Sequence, residues 1–440
     1  MITIEVSEAF FPEKKYILDI IFNEFLSLKY RILISSTDDY KITLDNGKQL
    51  VIRDHFFSEF DCYNSYLNMN KFPEQVTFMS NEFITQSDIP IIFGNMQFEI
   101  MEEKIVCGVD FFASCFFMLT RLEERINNFR DETNRFPHTA SLAYKNNFLN
   151  RPVVNEYVEM LWQMLCYQGI KQERKPSQFE VTFTHDIDFL FLWNDLPSLL
   201  RKVCGDVVNR KQYNRLWERI SNFYMVSRGM IRDPYDTFDW LMDISESVNA
   251  KSHFYFMSKG LNYSIECRKT CEVIKRIKRR GHILGFHAGY DTFNSPDAWL
   301  EEKKMVDRAI GYESQEGRQH YLRFEAPITW QIWNKAGMKF DSTCGYEEVG
   351  YRCGTGNEYS VYDLQHRRKM DLKEKPLILM DVHATIDRDP YSEFEYNRYL
   401  AIVNAAKKNN YPITVLFHNS TFESNPRFIK FYLELIECVA

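Results

Sequence analysis

The strongest constraint on the fold lies after Phe179, where short apolar runs recur: "FEVTFTHDID", "SHFYFMS", "HILGFHAG", "YLRFEAP", "LILMDVHAT" and "ITVLFHNS". Helical patterns separate most of them. Strands that alternate with helices are too far apart in sequence to pair as tight hairpins, so they line up in parallel with the helices against their faces. The expected class is α/β, with residues 176–440 forming a distorted (β/α) barrel. One intervening segment, "CRKTCEVIKRIKRRG", shows the pattern. Cys267, Cys271 and Ile274 share a helix face, basic residues fill the last turn, and Gly281 stands where a C-terminal cap belongs.

Upstream, strand-like runs ("KYRILISS", "KQLVIRD", "IPIIFG") mix with helical patterns that begin near Asp110 and cover Pro152–Gly169. The polar stretch "KQERKPSQ" at 171–178 reads as a linker. A chain of 440 residues exceeds the usual size of one domain. Residues 1–175 are therefore expected to form a smaller accessory α/β domain.

Charge and cysteine usage narrow the function classes. A net charge of −7 argues against a general nucleic-acid binder. The start, "MITIEVSEAFFPEKKYIL", has no basic stretch followed by an apolar one, so no secretory signal is expected. "FFASCFFML" is too short to span a bilayer. Ten scattered cysteines without a CxxC pair suggest free thiols and a reducing cytoplasm. The oligomeric state is left open.

Polar residues cluster at the C-terminal ends of the strands, where barrels of this kind build their sites. In "VTFTHDIDFL" alternation puts Asp186 and Asp188 on one face with Thr182 and Thr184, and Phe183 and His185 on the other. His287, the His320–Arg323 segment and His418 end other runs. A divalent ion of the zinc type takes about three imidazole and carboxylate ligands. An unbound carboxylate beside it can take a proton from water, and a histidine opposite can protonate a leaving group. No GxSxG elbow and no cysteine beside a plausible base supports a serine or cysteine hydrolase. His253 reads as structural. The stretch 201–232, with eight Lys/Arg against two acids, reads as a solvated helix face, with an anionic glycan or membrane surface as the alternative.

These segments resemble the polysaccharide deacetylase family with the NodB-type fold, in its bacterial branch with a THDxD first motif. "FTHDID", "GHILGFHAGYD", "RQHYLRFEAP", "KFDSTCGY", "GYRCGT" and "VLFHNS" follow the family's order. The upstream "DFFASCFFMLTRLEE…RFPHTASLA" looks like the extra N-terminal region of that branch. The resemblance implies Asp186 as general base, Asp188 and His287 as ligands of a divalent metal, zinc first, and His418 as general acid. It makes Arg323 the arginine that holds the catalytic aspartate. The family's second metal histidine falls on Asp291 here. Either Asp291 substitutes, or His320 from the neighbouring strand completes the site, which is the preferred reading. By alternation His320 and Arg323 cannot both face inward from a regular strand. Asp381 is expected to orient His418, and Arg352 and Tyr346 to line a substrate cleft.

The implied reaction is metal-dependent hydrolysis of an N- or O-acetyl group on a sugar or polysaccharide precursor. A non-catalytic barrel that binds glycan or serves as a scaffold in envelope polysaccharide assembly is the alternative from another class. A glycoside hydrolase using Asp186 and another carboxylate is a third reading.

Overall fold

In the computed structural model the chain is described throughout except at residues 63–64, 68–72, 194–195, 205–214, 382–392, 424–425 and 439–440. The N-terminal part contributes β1 (Ile2–Val6), β2 (Tyr30–Ile34), β3 (Tyr40–Thr43), β4 (Gln49–Ile52), β5 (Thr77–Met79), β6 (Ile89–Ile91), β7 (Gly94–Ile100) and β8 (Lys104–Val109). Six of these form a sheet in the order β2-β1-β3-β4-β8-β7, while β5 and β6 pair separately. Asp110 caps the helix Phe111–Leu119 by accepting from the Ala113 N–H, the N-cap role that a short carboxylate suits. The helix Val153–Tyr167 fills most of the span expected for it, and Gly169 follows at φ +82°.

The second sheet holds β9 (Val181–Ile187), β10 (Ser252–Phe256), β11 (Ile283–Ala288), β12 (Glu316–Gln319), β13 (Phe340–Asp341), β14 (Tyr359–Asp363), β15 (Arg368–Glu374), β16 (Leu377–Met380) and β17 (Ile413–Leu416). Its order is β14-β15-β13-β12-β11-β10-β9-β17-β16. All pairings are parallel except β14 with β15. Burial on both faces explains the near-continuous apolar runs of β10, β16 and β17.

The result is a mixed α/β fold with a curled half-barrel sheet. The distorted barrel expected takes the form of a sheet whose edges, among the described residues, are β14 and β16. The curl is visible in a distance. β12 and β9 are three strand spacings apart, about 14 Å on a flat sheet, yet side chains at their ends approach to 3.6 Å. Close approach of neighbouring strands is permitted at Gly317, where a Cβ would sit 1.9 Å from the Phe286 carbonyl oxygen.

One expectation needs correction, and one hairpin was not expected. "YLRFEAP" is not a strand: β12 lies one segment earlier, in "EGRQ", and the chain then makes a tight turn with Tyr321 (φ 60°) and Leu322 (φ 54°) in left-handed conformations. The β14–β15 hairpin gave no sequence signal and packs on the N-terminal part. There the Tyr16 hydroxyl donates to the Ser360 carbonyl (2.9 Å) and the Tyr359 hydroxyl to the Leu119 carbonyl (2.9 Å). One continuous apolar cluster runs through both sheets. The ten cysteines are free. Among the described residues no helix is long and apolar enough to cross a membrane.

Candidate functional site

The C-terminal ends of β9, β11, β12, β16 and β17 deliver their polar side chains to one place. Asp188 Oδ1 lies 3.3 Å from His287 Nε2 and 3.6 Å from His320 Nε2. One ligand atom from each of the three falls within 4.8 Å of the others. Asp188 Oδ2 is 3.6 Å from His418 Nε2. Asp186, two residues earlier on the same face, offers Oδ2 at 3.7 Å from His287 Nε2. His185 points the opposite way, into the core, where its Nδ1 bonds the Phe417 carbonyl at 2.8 Å.

His287, Asp186 and His418 are each oriented by a partner behind them. His287 Nδ1 donates to the Arg318 carbonyl (2.9 Å), which leaves Nε2 free to face Asp188. Arg318 is fully buried. Its guanidinium donates to Asp186 Oδ1 (2.8 Å), Thr184 Oγ1 (3.0 Å), Ser342 Oγ (2.9 Å) and the Ser342 carbonyl (2.8 Å). The rigid fork therefore fixes one oxygen of Asp186 and leaves the other open. Asp381 accepts from His418 Nδ1 (2.9 Å), from the His418 backbone N–H (2.8 Å) and from Thr421 Oγ1.

The charges reinforce one another. Burial works against ionising Asp188, but His287, His320 and His418 around it hold its carboxyl well below the usual range. Burial likewise opposes a charged His287, and the Asp186 and Asp188 carboxylates outweigh it, raising its pKa. His418 is pushed up to about 10: burial lowers it, and Asp381, then Asp188 and Asp186, more than compensate. Asp381 itself is lowered, against burial, by His418 and Thr421.

The residues fit a divalent cation. His320 is buried, yet neither of its ring nitrogens has a hydrogen-bond partner, and Asp188 Oδ1 is equally unpartnered. Unsatisfied buried polar atoms are costly. Here Asp188 and His320 converge with His287, one ligand atom from each lying within 4.8 Å of the others, and two imidazoles with a carboxylate are a common donor set for zinc-type ions.

Sequence reasoning placed other residues differently. Arg323 does not reach Asp186. It bonds the Tyr290 carbonyl (2.6 Å) and Asp291 (3.2 Å), and its guanidinium lies 4.0 Å from the Tyr290 ring centre and 4.2 Å from that of Phe293. It braces the loop after β11. Asp291 has a side chain 91% exposed and pairs with Arg323, so His320 is the residue that joins the trio. Arg352 and Tyr346 do not line a cleft. Arg352 is buried against Glu124 (2.6 Å) from the N-terminal part, and Tyr346 accepts from Arg121 (3.3 Å). His253 is structural, paired inside the sheet with Glu316, which also accepts from the Tyr255 hydroxyl (3.0 Å).

Arg318 was missed. Its signal was its place two residues before His320, which puts both on one face of a strand. A separate cavity of about 550 Å3, lined by Glu24, Arg174, Lys375 and Thr414 among others, opens near the N-terminal starts of β9 and β17, away from these residues.

Residues 2–169 match a family model described as a family of unknown function (DUF7033). No curated protein matches the chain. Among solved structures it is similar to a candidate polysaccharide deacetylase from Mycobacterium smegmatis, at 14% identity over 60% of this chain and 85% of that one, with a TM-score of 0.40. It is also similar to a chitin deacetylase from the fungal pathogen Colletotrichum lindemuthianum (13% identity, 46% of this chain, 76% of that one, TM-score 0.31). A third is a mutant of a CE4-family pseudoenzyme with restored enzymatic activity (10% identity, 60% and 64%, TM-score 0.29).

Proposed function

We propose that the chain is a metal-dependent hydrolase that removes an acetyl group from a sugar or polysaccharide precursor. The observation that carries this reading is the buried trio Asp188, His287 and His320, with its unpartnered donor atoms, flanked by a fixed carboxylate and a fixed histidine. Asp188, His287 and His320 would hold the ion, which when bound polarises the acetyl carbonyl and makes water easier to deprotonate.

The chain's own groups supply the rest. Asp186 keeps one oxygen on Arg318 and presents Oδ2 toward the trio, so it accepts the proton of the attacking water. Asp381 aims His418 Nε2 at Asp188 and keeps the ring protonated near neutral pH, as a proton donor to the departing amine or alcohol requires. With His320 in the trio, the apparent loss of a second metal histidine no longer favours a non-catalytic scaffold.

Acetate release from a panel of N- and O-acetylated sugars tests the reading. Metal-loaded protein is expected to release acetate, and Asp186→Asn to lower the rate on the order of 10²–10⁴-fold. Equal release by Asp186→Asn, or no release by the loaded parent from any member of the panel, would overturn it.

A further inference from the structure

Two helices are inserted between β9 and β10, Leu196–Cys204 and Arg215–Ser227, and each carries an apolar stripe covered along one edge and exposed along the other. Along the covered edge Leu199, Val203, Phe223 and Val226 join Leu192, Trp193 and Tyr235 in a small cluster of their own. Among the described residues the other edge is exposed. Leu196 (58% exposed) and Leu200 (56%) are one helical turn apart, and Trp217 (76%), Ile220 (38%) and Tyr224 (52%) follow the same spacing on the second helix. Met230, 67% exposed, follows just beyond the end of the second helix. A solvated helix face does not carry such residues.

In sequence this stretch is basic in an acidic chain: residues 201–232 hold eight Lys/Arg against two acids, while the whole chain is at −7. The Arg228 guanidinium lies 5.4 Å from the Tyr224 ring centre, and Arg232, 71% exposed, pairs with Asp239 at 3.3 Å. Trp and Tyr with an apolar body and a polar edge, aliphatic side chains beside them, and arginines at the margin match the boundary between headgroups and acyl chains. Leu196, Leu200 and Met230 offer nothing to sugar hydroxyls. A second copy would bring like charges together.

We propose that this helix pair docks the protein on an anionic lipid bilayer. The base of the pair is tied to the catalytic rim: Asp233 accepts from the backbone N–H groups of Leu192 and Trp193 (2.7 and 2.8 Å), Asn419 Nδ2 donates to the Phe189 carbonyl (2.9 Å), and Arg219 meets Glu423 at 3.3 Å. A bilayer docked there lies beside the loop that carries His418.

Co-sedimentation with vesicles of phosphatidylcholine alone, and of phosphatidylcholine with about a quarter phosphatidylglycerol, tests this without reference to catalysis. Binding to the anionic vesicles that weakens in about 0.5 M salt is expected. The Trp217→Ser/Tyr224→Ser double variant should bind at least about tenfold more weakly with an unchanged melting temperature, and Arg228→Glu/Arg232→Glu should lose the preference for anionic lipid. Equal binding to both vesicle types, or double variants that bind as tightly as the parent, would overturn the proposal. So would sedimentation velocity showing a dimer that Trp217→Ser dissolves.

Discussion

Replacing Asp381 by Asn removes a charge while keeping the shape behind His418. His418 stands at about 10 against an ordinary 6.5, on the order of 10³ in its protonation constant. Burial alone would push the ring toward neutrality, and Asp381 is the largest of the charges opposing it. In the variant only Asp188 and Asp186 remain to favour the charged ring, and a bound cation offsets them. In the proposed role His418 is a proton donor, so activity is expected to fall as pH rises through its pKa. Lowering that pKa moves the loss to lower pH. The basic limb of kcat/KM is therefore expected to move down by about two pH units or more in Asp381→Asn. Activity should recover toward the parent's on the acid side of the new limb, where the ring is again protonated. The assay is a pH profile of acetate release for both proteins, metal-loaded alike. A drop that is uniform across pH, or a basic limb that stays in place, would refute the role given to Asp381.

Three further outcomes follow from other contacts. Arg318→Lys keeps the charge but loses the fork that holds Asp186 and Ser342 together, so kcat should fall about 10²-fold with KM little changed; steady-state kinetics with metal content measured alongside would show it. Glu124 sits fully buried between Arg121 and Arg352, and despite burial the two arginines hold its carboxyl at about 2. Its contribution to stability is thus fully present above an ordinary 4.5 and lost as pH falls toward 2, so Glu124→Gln should cost about 3–5 kcal/mol at neutral pH and flatten the acid limb of thermal stability followed by calorimetry. His287 sits above its ordinary 6.5 and must shed a proton to bind metal, so zinc affinity in a competition titration should already weaken on the alkaline side of 6.5.

The parts of the structure legible in the sequence were those whose burial shows as apolar character. β9, β10, β11, β16 and β17 are buried on both faces and read as apolar runs, with their polar residues at the C-terminal ends. β12 is buried too, but its residues are Glu316, Gly317, Arg318 and Gln319, so it carries no apolar pattern. Its burial is sustained by hydrogen bonds to partners such as Ser342 and Thr343, 24 residues away. "YLRFEAP" looked like a strand because it alternates, but the left-handed turn at Tyr321 and Leu322 breaks the alternation on which the choice between His320 and Arg323 rested. Arg352 and Tyr346 were assigned to a cleft because their partners, Glu124 and Arg121, lie more than two hundred residues away and leave no local mark. The tail of "LILMDVHAT" and part of 201–232 lie outside the described residues.

The central claim is that Asp188, His287 and His320 hold a divalent ion and that Asp291 does not. Metal content by plasma mass spectrometry, on protein purified without an affinity tag beside His320→Ala and Asp291→Ala, tests it most directly. The account predicts about one equivalent of a zinc-type ion in the parent and in Asp291→Ala, and its loss in His320→Ala. Retention in His320→Ala with loss in Asp291→Ala, or no metal in the parent even after reconstitution, would contradict it.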